Sequence, residues 1–139
     1  MGTIVNQVNE KAKIQASRIP SAGDEQIPVS AFHVMMKPRG AICNLDCKYC
    51  YFLAKEDLYP DSNFRMSEEL LENYIKQYID AQTVPEITFA WQGGEPTLMG
   101  LDFFEKAINF QKKHQKTGTK VFNSIQTNGT LLDDEWCKF

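Results

Sequence analysis

Apolar positions along this chain fall into short blocks whose spacing switches between two periods. Ala31 to Lys37 (AFHVMMK) is an apolar run stopped by Pro38-Arg39-Gly40, and it predicts a first strand. From Met66 to Gln82 the apolar residues stand at 66, 70, 71, 74, 75, 78 and 79, the spacing of one helix face. Ser67 followed by Glu68 and Glu69 gives that helix an acidic start, which suits the positive end of its dipole. Glu86 to Trp91 (EITFAW) predicts a second strand, stopped by Gly93-Gly94. Leu101 to Gln115 predicts a second helix, with Phe103, Phe104, Ala107, Ile108 and Gln111 along one side and basic residues toward its end. Lys120 to Gln126 (KVFNSIQ) predicts a third strand closed by Asn128-Gly129, and a third helix is expected to begin at Leu132. Residues 1–30 are polar, with Pro20, Gly23 and Pro28, and read as an N-terminal extension.

Strand and helix therefore alternate, the pattern of βαβ units on a parallel sheet. The predicted fold class is α/β, a βαβαβα stretch of a barrel or doubly wound protein spanning residues 31–139. The chain ends at Phe139 inside the predicted third helix, so further strands are expected to follow. Neither an internal repeat nor a low-complexity segment interrupts the pattern.

Composition narrows the class. With 139 residues, 42% hydrophobic and 24% charged, the chain is neither disordered nor fibrous and needs no disulfides to bury a core. A net charge of −3 argues against a nucleic-acid partner held by electrostatics. No apolar run approaches the roughly 18–20 residues of a membrane span, so no membrane association is expected. Met1 to Ile19 lacks the apolar core of a secretory signal, and Asn6 stands where a myristoylation pattern wants Ser or Thr. The expected compartment is cytoplasmic, where thiols stay reduced. The 4 cysteines of such a chain point to metal or catalysis before disulfides.

The candidate chemistry lies in Cys43-Asn-Leu-Asp-Cys47-Lys-Tyr-Cys50. Soft thiolates select zinc, copper(I) or iron–sulfur. A structural zinc site and a simple ferredoxin cluster both want four ligands, whereas the remaining cysteine, Cys137, is far along the chain. Three ligands leave one metal position open to a small molecule. The loop follows a predicted strand, where α/β proteins keep functional loops. Gly93 and Gly94 follow the next strand, and without side chains their backbone is open to close approach by a ligand. Other features have plainer readings. Asn128-Gly129 is first a turn signal. Cys137, beside Trp136, reads as a small buried residue. His33 and His114 read as structural, Met35-Met36 as strand packing, and Tyr74 and Tyr78 as core.

The CxxxCxxC spacing of Cys43, Cys47 and Cys50, followed by Tyr51 and Phe52, resembles the signature of radical S-adenosylmethionine (SAM) enzymes. Three longer segments, Lys37-Pro-Arg-Gly-Ala-Ile-Cys-Asn-Leu-Asp-Cys, Trp91-Gln-Gly-Gly-Glu-Pro-Thr-Leu and Ile125-Gln-Thr-Asn-Gly-Thr-Leu-Leu, resemble the anaerobic sulfatase-maturating enzymes within that superfamily. The resemblance implies that residues 31–139 are the N-terminal βαβαβα part of a partial (β/α)6 TIM-like barrel. It implies that Cys43, Cys47 and Cys50 hold a 4Fe-4S cluster whose fourth iron chelates the amino and carboxylate groups of SAM. Glu95 is then expected to accept a hydrogen bond from the SAM amino group, beside Gly93 and Gly94, while Tyr49 lines the adenine pocket and Gln92 faces the active site. Such enzymes cleave SAM to a 5′-deoxyadenosyl radical that abstracts hydrogen from a cysteine or serine β-carbon of a sulfatase precursor, giving Cα-formylglycine. The implied partners are that precursor and an electron donor such as flavodoxin or ferredoxin. Family members continue into a C-terminal SPASM-type domain carrying further clusters, so the catalytic base is expected downstream of Phe139 and this chain alone is not expected to turn over. Two alternatives stay open: another radical SAM enzyme that modifies peptides, and a non-enzymatic module that uses the cysteines for zinc.

Overall fold

The computed structural model describes residues 30–139, and the predicted extension, Ser30 apart, lies outside them. In chain order the elements are strand β1 (Met35–Met36), a 3-10 helix (Leu53–Leu58), helix α1 (Glu68–Ala81), strand β2 (Glu86–Trp91), a second 3-10 helix (Pro96–Met99), helix α2 (Leu101–His114), strand β3 (Lys120–Ile125) and helix α3 (Asp134–Lys138). The strands form one sheet in the order β1-β2-β3, parallel throughout, with Met36 opposite Trp91 and Trp91 opposite Ile125. The α/β class read from the alternation is the class observed.

Alternation along β2 decides where the core lies. Ile87, Phe89 and Trp91 are buried on one face, with Thr88 and Ala90 half-buried on the other. The buried face receives Leu71, Ile75, Tyr78 and Ile79 of α1 and Phe103, Phe104 and Ala107 of α2. Aromatic rings join these layers: Tyr74 meets Phe89 edge-on at 5.7 Å, and Trp91 meets Phe104 edge-on at 5.7 Å. Contacts of that geometry add about 0.5–1.5 kcal/mol each beyond the area they bury. Tyr74 and Tyr78 are thus core residues, as their helical spacing predicts.

Several boundaries differ from the sequence reading for local reasons. The α1 helix starts at Glu68 because Ser67 caps it, its Oγ accepting from Leu70 N at 3.2 Å, while Met66 N donates to Pro38 O at 2.9 Å. The β1 strand is only Met35–Met36, much less than the predicted run from Ala31. Upstream of it the Phe32 carbonyl accepts from Gln82 Nε2 at 2.8 Å and Tyr78 Oη at 3.3 Å, so helix side chains take the place of a sheet partner. The α3 helix begins after Asp133, whose Oδ1 accepts from Glu135 N and Trp136 N, leaving Leu131 and Leu132 outside it and exposed. Cys137 is exposed as well, against expectation. Trp136 occupies the side of α3 that meets Phe104, at 5.4 Å between rings, and its neighbour therefore points away. His33 is exposed and His114 pairs with Glu72 at 2.9 Å. Among the described residues no helix is long and apolar enough to cross a membrane.

Candidate functional site

Parallel pairing brings the carboxyl ends of all the strands to one edge, so the loops after β1, β2 and β3 meet there. The ladder runs slightly past the strands: Gln92 N donates to Met36 O at 2.8 Å and Gln126 N to Trp91 O at 2.9 Å. That sets the Gln92 and Gln126 side chains together, Nε2 to Oε1 at 2.8 Å, with Gln92 Oε1 buried and unpartnered.

The glycine pair and the cysteine loop are stitched backbone to backbone. Gly94 N donates to Gly40 O and Glu95 N to Ile42 O, each at 2.8 Å. A Cβ on Gly94 would stand 2.0 Å from the Ile42 carbonyl oxygen; Gly93 has φ +131° and a Cβ there would stand 2.7 Å from Gly40 O. The space expected to admit a ligand is thus taken first by the loop that carries the cysteines. Gly94→Ala drives a methyl into backbone that has nowhere to go. It should destabilise the fold by about 3 kcal/mol, the upper end for overpacking, and an unchanged urea midpoint would show the contact to be compliant.

Cys43, Cys47 and Cys50 are free and half-buried. A turn closed by Cys50 N to Cys47 O at 2.8 Å sets the last pair. Cys43 Sγ accepts from Leu45 N at 3.4 Å and from Asn128 Nδ2 at 3.7 Å, two donors aimed at one sulfur. Beside it opens a hollow of about 550 Å³ lined by Cys43, Asn44, Leu45, Asp46 and Glu56 among others. Lys37 Nζ lies 4.0 Å over the Phe52 ring and ties the far end of the loop to the strand it follows. Tyr49 projects outward, 90% exposed, its phenol raised above its usual pKa by hydrogen bonding to Cys47 and by the charge of that thiol.

Glu95, expected from the resemblance beside the SAM amino group, is turned inward in this structure. It is 0% exposed. Its Oε1 accepts from Thr97 N (2.9 Å), Thr97 Oγ1 (2.6 Å) and Thr127 Oγ1 (2.7 Å), and its Oε2 accepts from Asn128 N (2.7 Å). Burial pushes the carboxyl pKa up, but the bonds from Thr97, Asn128 and Thr127 outweigh that and hold it below the usual value. The carboxylate caps the 3-10 helix Pro96–Met99 and clamps the end of β3 to the end of β2. Asn128, read from sequence as a turn residue, stands at the centre of this arrangement. Its position just past a parallel strand was the signal that could have singled it out.

The donor set fits an iron–sulfur cluster. Among the described residues no three His, Cys, Asp or Glu side chains converge on a single metal ion. A cubane asks for something else, one thiolate on each of several irons, so its cysteines stay apart. Three reduced thiols on one ordered loop, one of them already facing N–H donors, and an open hollow beside them supply that.

Fold and site together define an α/β protein with a thiolate loop at the carboxyl edge of a parallel sheet. The profile of the radical SAM superfamily matches residues 38–139, and the chain belongs to that superfamily. Membership implies a 4Fe-4S cluster and SAM as cofactors. The chain is 52% identical over 108 residues to the serine-type anaerobic sulfatase-maturating enzyme of Bacteroides thetaiotaomicron, covering 77% of this chain and 26% of that protein. It is 42% identical over 107 residues to the cysteine-type enzyme of Clostridium perfringens, covering 76% and 29%. The solved structure of anSMEcpe with bound AdoMet superposes with a TM-score of 0.67 at 43% identity, covering 76% of this chain and 28% of that one. The chain thus spans less than a third of the length of these relatives.

Proposed function

We propose that the protein is a radical SAM oxidoreductase of the sulfatase-maturating kind, oxidising a cysteine or serine of a sulfatase precursor to Cα-formylglycine. The observation that carries this reading is the loop of Cys43, Cys47 and Cys50 fastened to Gly94 and Glu95, within a stretch similar to both serine-type and cysteine-type maturating enzymes. When bound, the cluster supplies the electron for reductive cleavage of SAM.

The chain's own residues bind and orient. Cys43, Cys47 and Cys50 provide the thiolates, and the hydrogen bonds of Gly94 and Glu95 to residues 40 and 42 fix where that loop sits on the sheet. Gln92 and Gln126 pave the adjoining strand ends, paired through Gln92 Nε2 and Gln126 Oε1. Glu95 holds the loop after β3 in register with them. The compartment this reading requires is the cytoplasm, with a flavodoxin or ferredoxin as electron donor.

The deciding experiment is anaerobic reconstitution, with iron and sulfide, of the full-length protein to which this chain belongs, then incubation with SAM, reductant and a sulfatase-derived peptide bearing cysteine or serine at the target position. Brown iron–sulfur absorbance, 5′-deoxyadenosine and an aldehyde trapped by hydrazide on that residue are expected. Colourless protein that retains zinc would overturn the reading. SAM cleavage with no aldehyde on either peptide would reassign the protein to a different peptide modification.

A further inference from the structure

We infer that Asn128 is a positioning residue for the first cluster cysteine, and that its amide raises the reduction potential of the cluster by donating to Cys43 Sγ. The inference rests on the proposed function, because it needs a cluster at Cys43.

The orientation of this amide is fixed by a backbone group. Thr130 N, a donor without alternative, points at Asn128 Oδ1 at 3.0 Å, so the other amide atom must be Nδ2. Nδ2 then faces Asn44 Oδ1 at 2.9 Å and Cys43 Sγ at 3.7 Å. Asn44 in turn turns its own Nδ2 to Thr130 Oγ1 at 2.7 Å, and that hydroxyl donates to Asn128 Oδ1 at 2.7 Å. The ring closes with each of its hydrogen bonds running from a donor to an acceptor. It joins the loop after β3 to the residue next to Cys43, some 84 positions earlier in the chain. Its anchor is the bond from Asn128 N to buried Glu95 Oε2.

The chemistry follows from charge. One-electron reduction adds negative charge to a cluster and its thiolates, and N–H donors to sulfur favour the more negative state. Leu45 N is a backbone donor and cannot be varied. Asn128 Nδ2 is the side-chain donor to the same sulfur.

Two variants separate an electrostatic from a merely structural role. Asn128→Asp keeps an oxygen for Thr130 N, and so keeps the turn, but replaces the donor with negative charge beside the thiolate. Asn128→Ala removes both. The measurement is a redox titration of the reconstituted protein followed by electron paramagnetic resonance. The relevant signal is the one that disappears in Cys50→Ala. We expect Asn128→Ala to lower the reduced-to-oxidised ratio at a fixed potential about three- to tenfold, roughly 30–60 mV for one electron, and Asn128→Asp to lower it further. An Asp variant titrating like the wild type overturns the inference, whatever the Ala variant does, and so does a wild-type potential in both. If the wild type forms no Cys50-dependent cluster, the proposed function fails, and this inference with it.

Discussion

Replacing any one of Cys43, Cys47 and Cys50 by alanine should abolish the Cys50-dependent cluster, taking its iron and sulfide to background. Cys137→Ala should leave both unchanged. On the proposed reading each thiolate of the loop would serve a different iron, so no neighbour could substitute for a lost one. Clusters of this type are held by cysteine thiolates, and with one of the loop's anchors gone the cube opens to solvent and decays. Cys137 stands apart from this. It is exposed on α3, which meets the core through Trp136 against Phe104. Iron and acid-labile sulfide measured after anaerobic reconstitution decide the matter. Retention of the cluster in a Cys47→Ala variant, or its loss in Cys137→Ala, would mean the ligands have been misassigned. Circular dichroism controls for folding, since the half-buried thiols lie outside the core under α1 and α2.

The fold was largely legible because its core obeys simple periods. Glu86–Trp91 was read at its observed limits, and Leu101–His114 within a residue, since Phe103, Phe104 and Ala107 mark one helix face and Ile87, Phe89 and Trp91 one strand face. What failed was set by single partners. Nothing in AFHVMMK says that Phe32 O will be claimed by Tyr78 of α1 and by Gln82 just after it, which is why the first strand is short. Cys137 beside Trp136 looked buried, yet only one of two adjacent residues on a short helix faces its neighbour. The short helices Leu53–Leu58 and Pro96–Met99 have no apolar period to announce them. In the site, the cysteines were legible by spacing. The glycines were legible as residues needing no side chain, but what approaches them is the loop's own backbone, Gly40 O at Gly93 and Ile42 O at Gly94. The inward clamp of Glu95 depends on Thr127 and Asn128, in the loop after the next strand, and long-range pairing of that kind leaves no local mark.

That clamp makes Glu95 the residue with the largest expected effect on stability. Hydrogen bonds to a charged group contribute about 1.5–3 kcal/mol each, and an orphaned buried donor forfeits its hydration as well. Glu95→Gln keeps the shape and one carbonyl oxygen, enough for Thr97 and Thr127, but turns an amide N–H₂ against Asn128 N. It should cost about 1.5–3 kcal/mol. Glu95→Ala empties the position, strands every donor and should cost about 3–5 kcal/mol, a large share of the roughly 5–15 kcal/mol that holds a domain together. The pH dependence has a definite sign. The folded carboxyl pKa lies below its unfolded value, so its stabilisation is complete above the unfolded pKa and is lost as pH falls through the folded one. The gap between wild type and Glu95→Gln should therefore be widest near neutrality and narrow in acid. Urea midpoints at several pH values, with SAM affinity measured on the same variants, separate the two roles open to this carboxylate. An inward clamp loses stability first, and SAM affinity falls with it. If Glu95→Ala instead melts like the wild type, keeps its cluster and binds SAM weakly, the carboxylate faces the ligand in the working enzyme and the clamp reading is wrong.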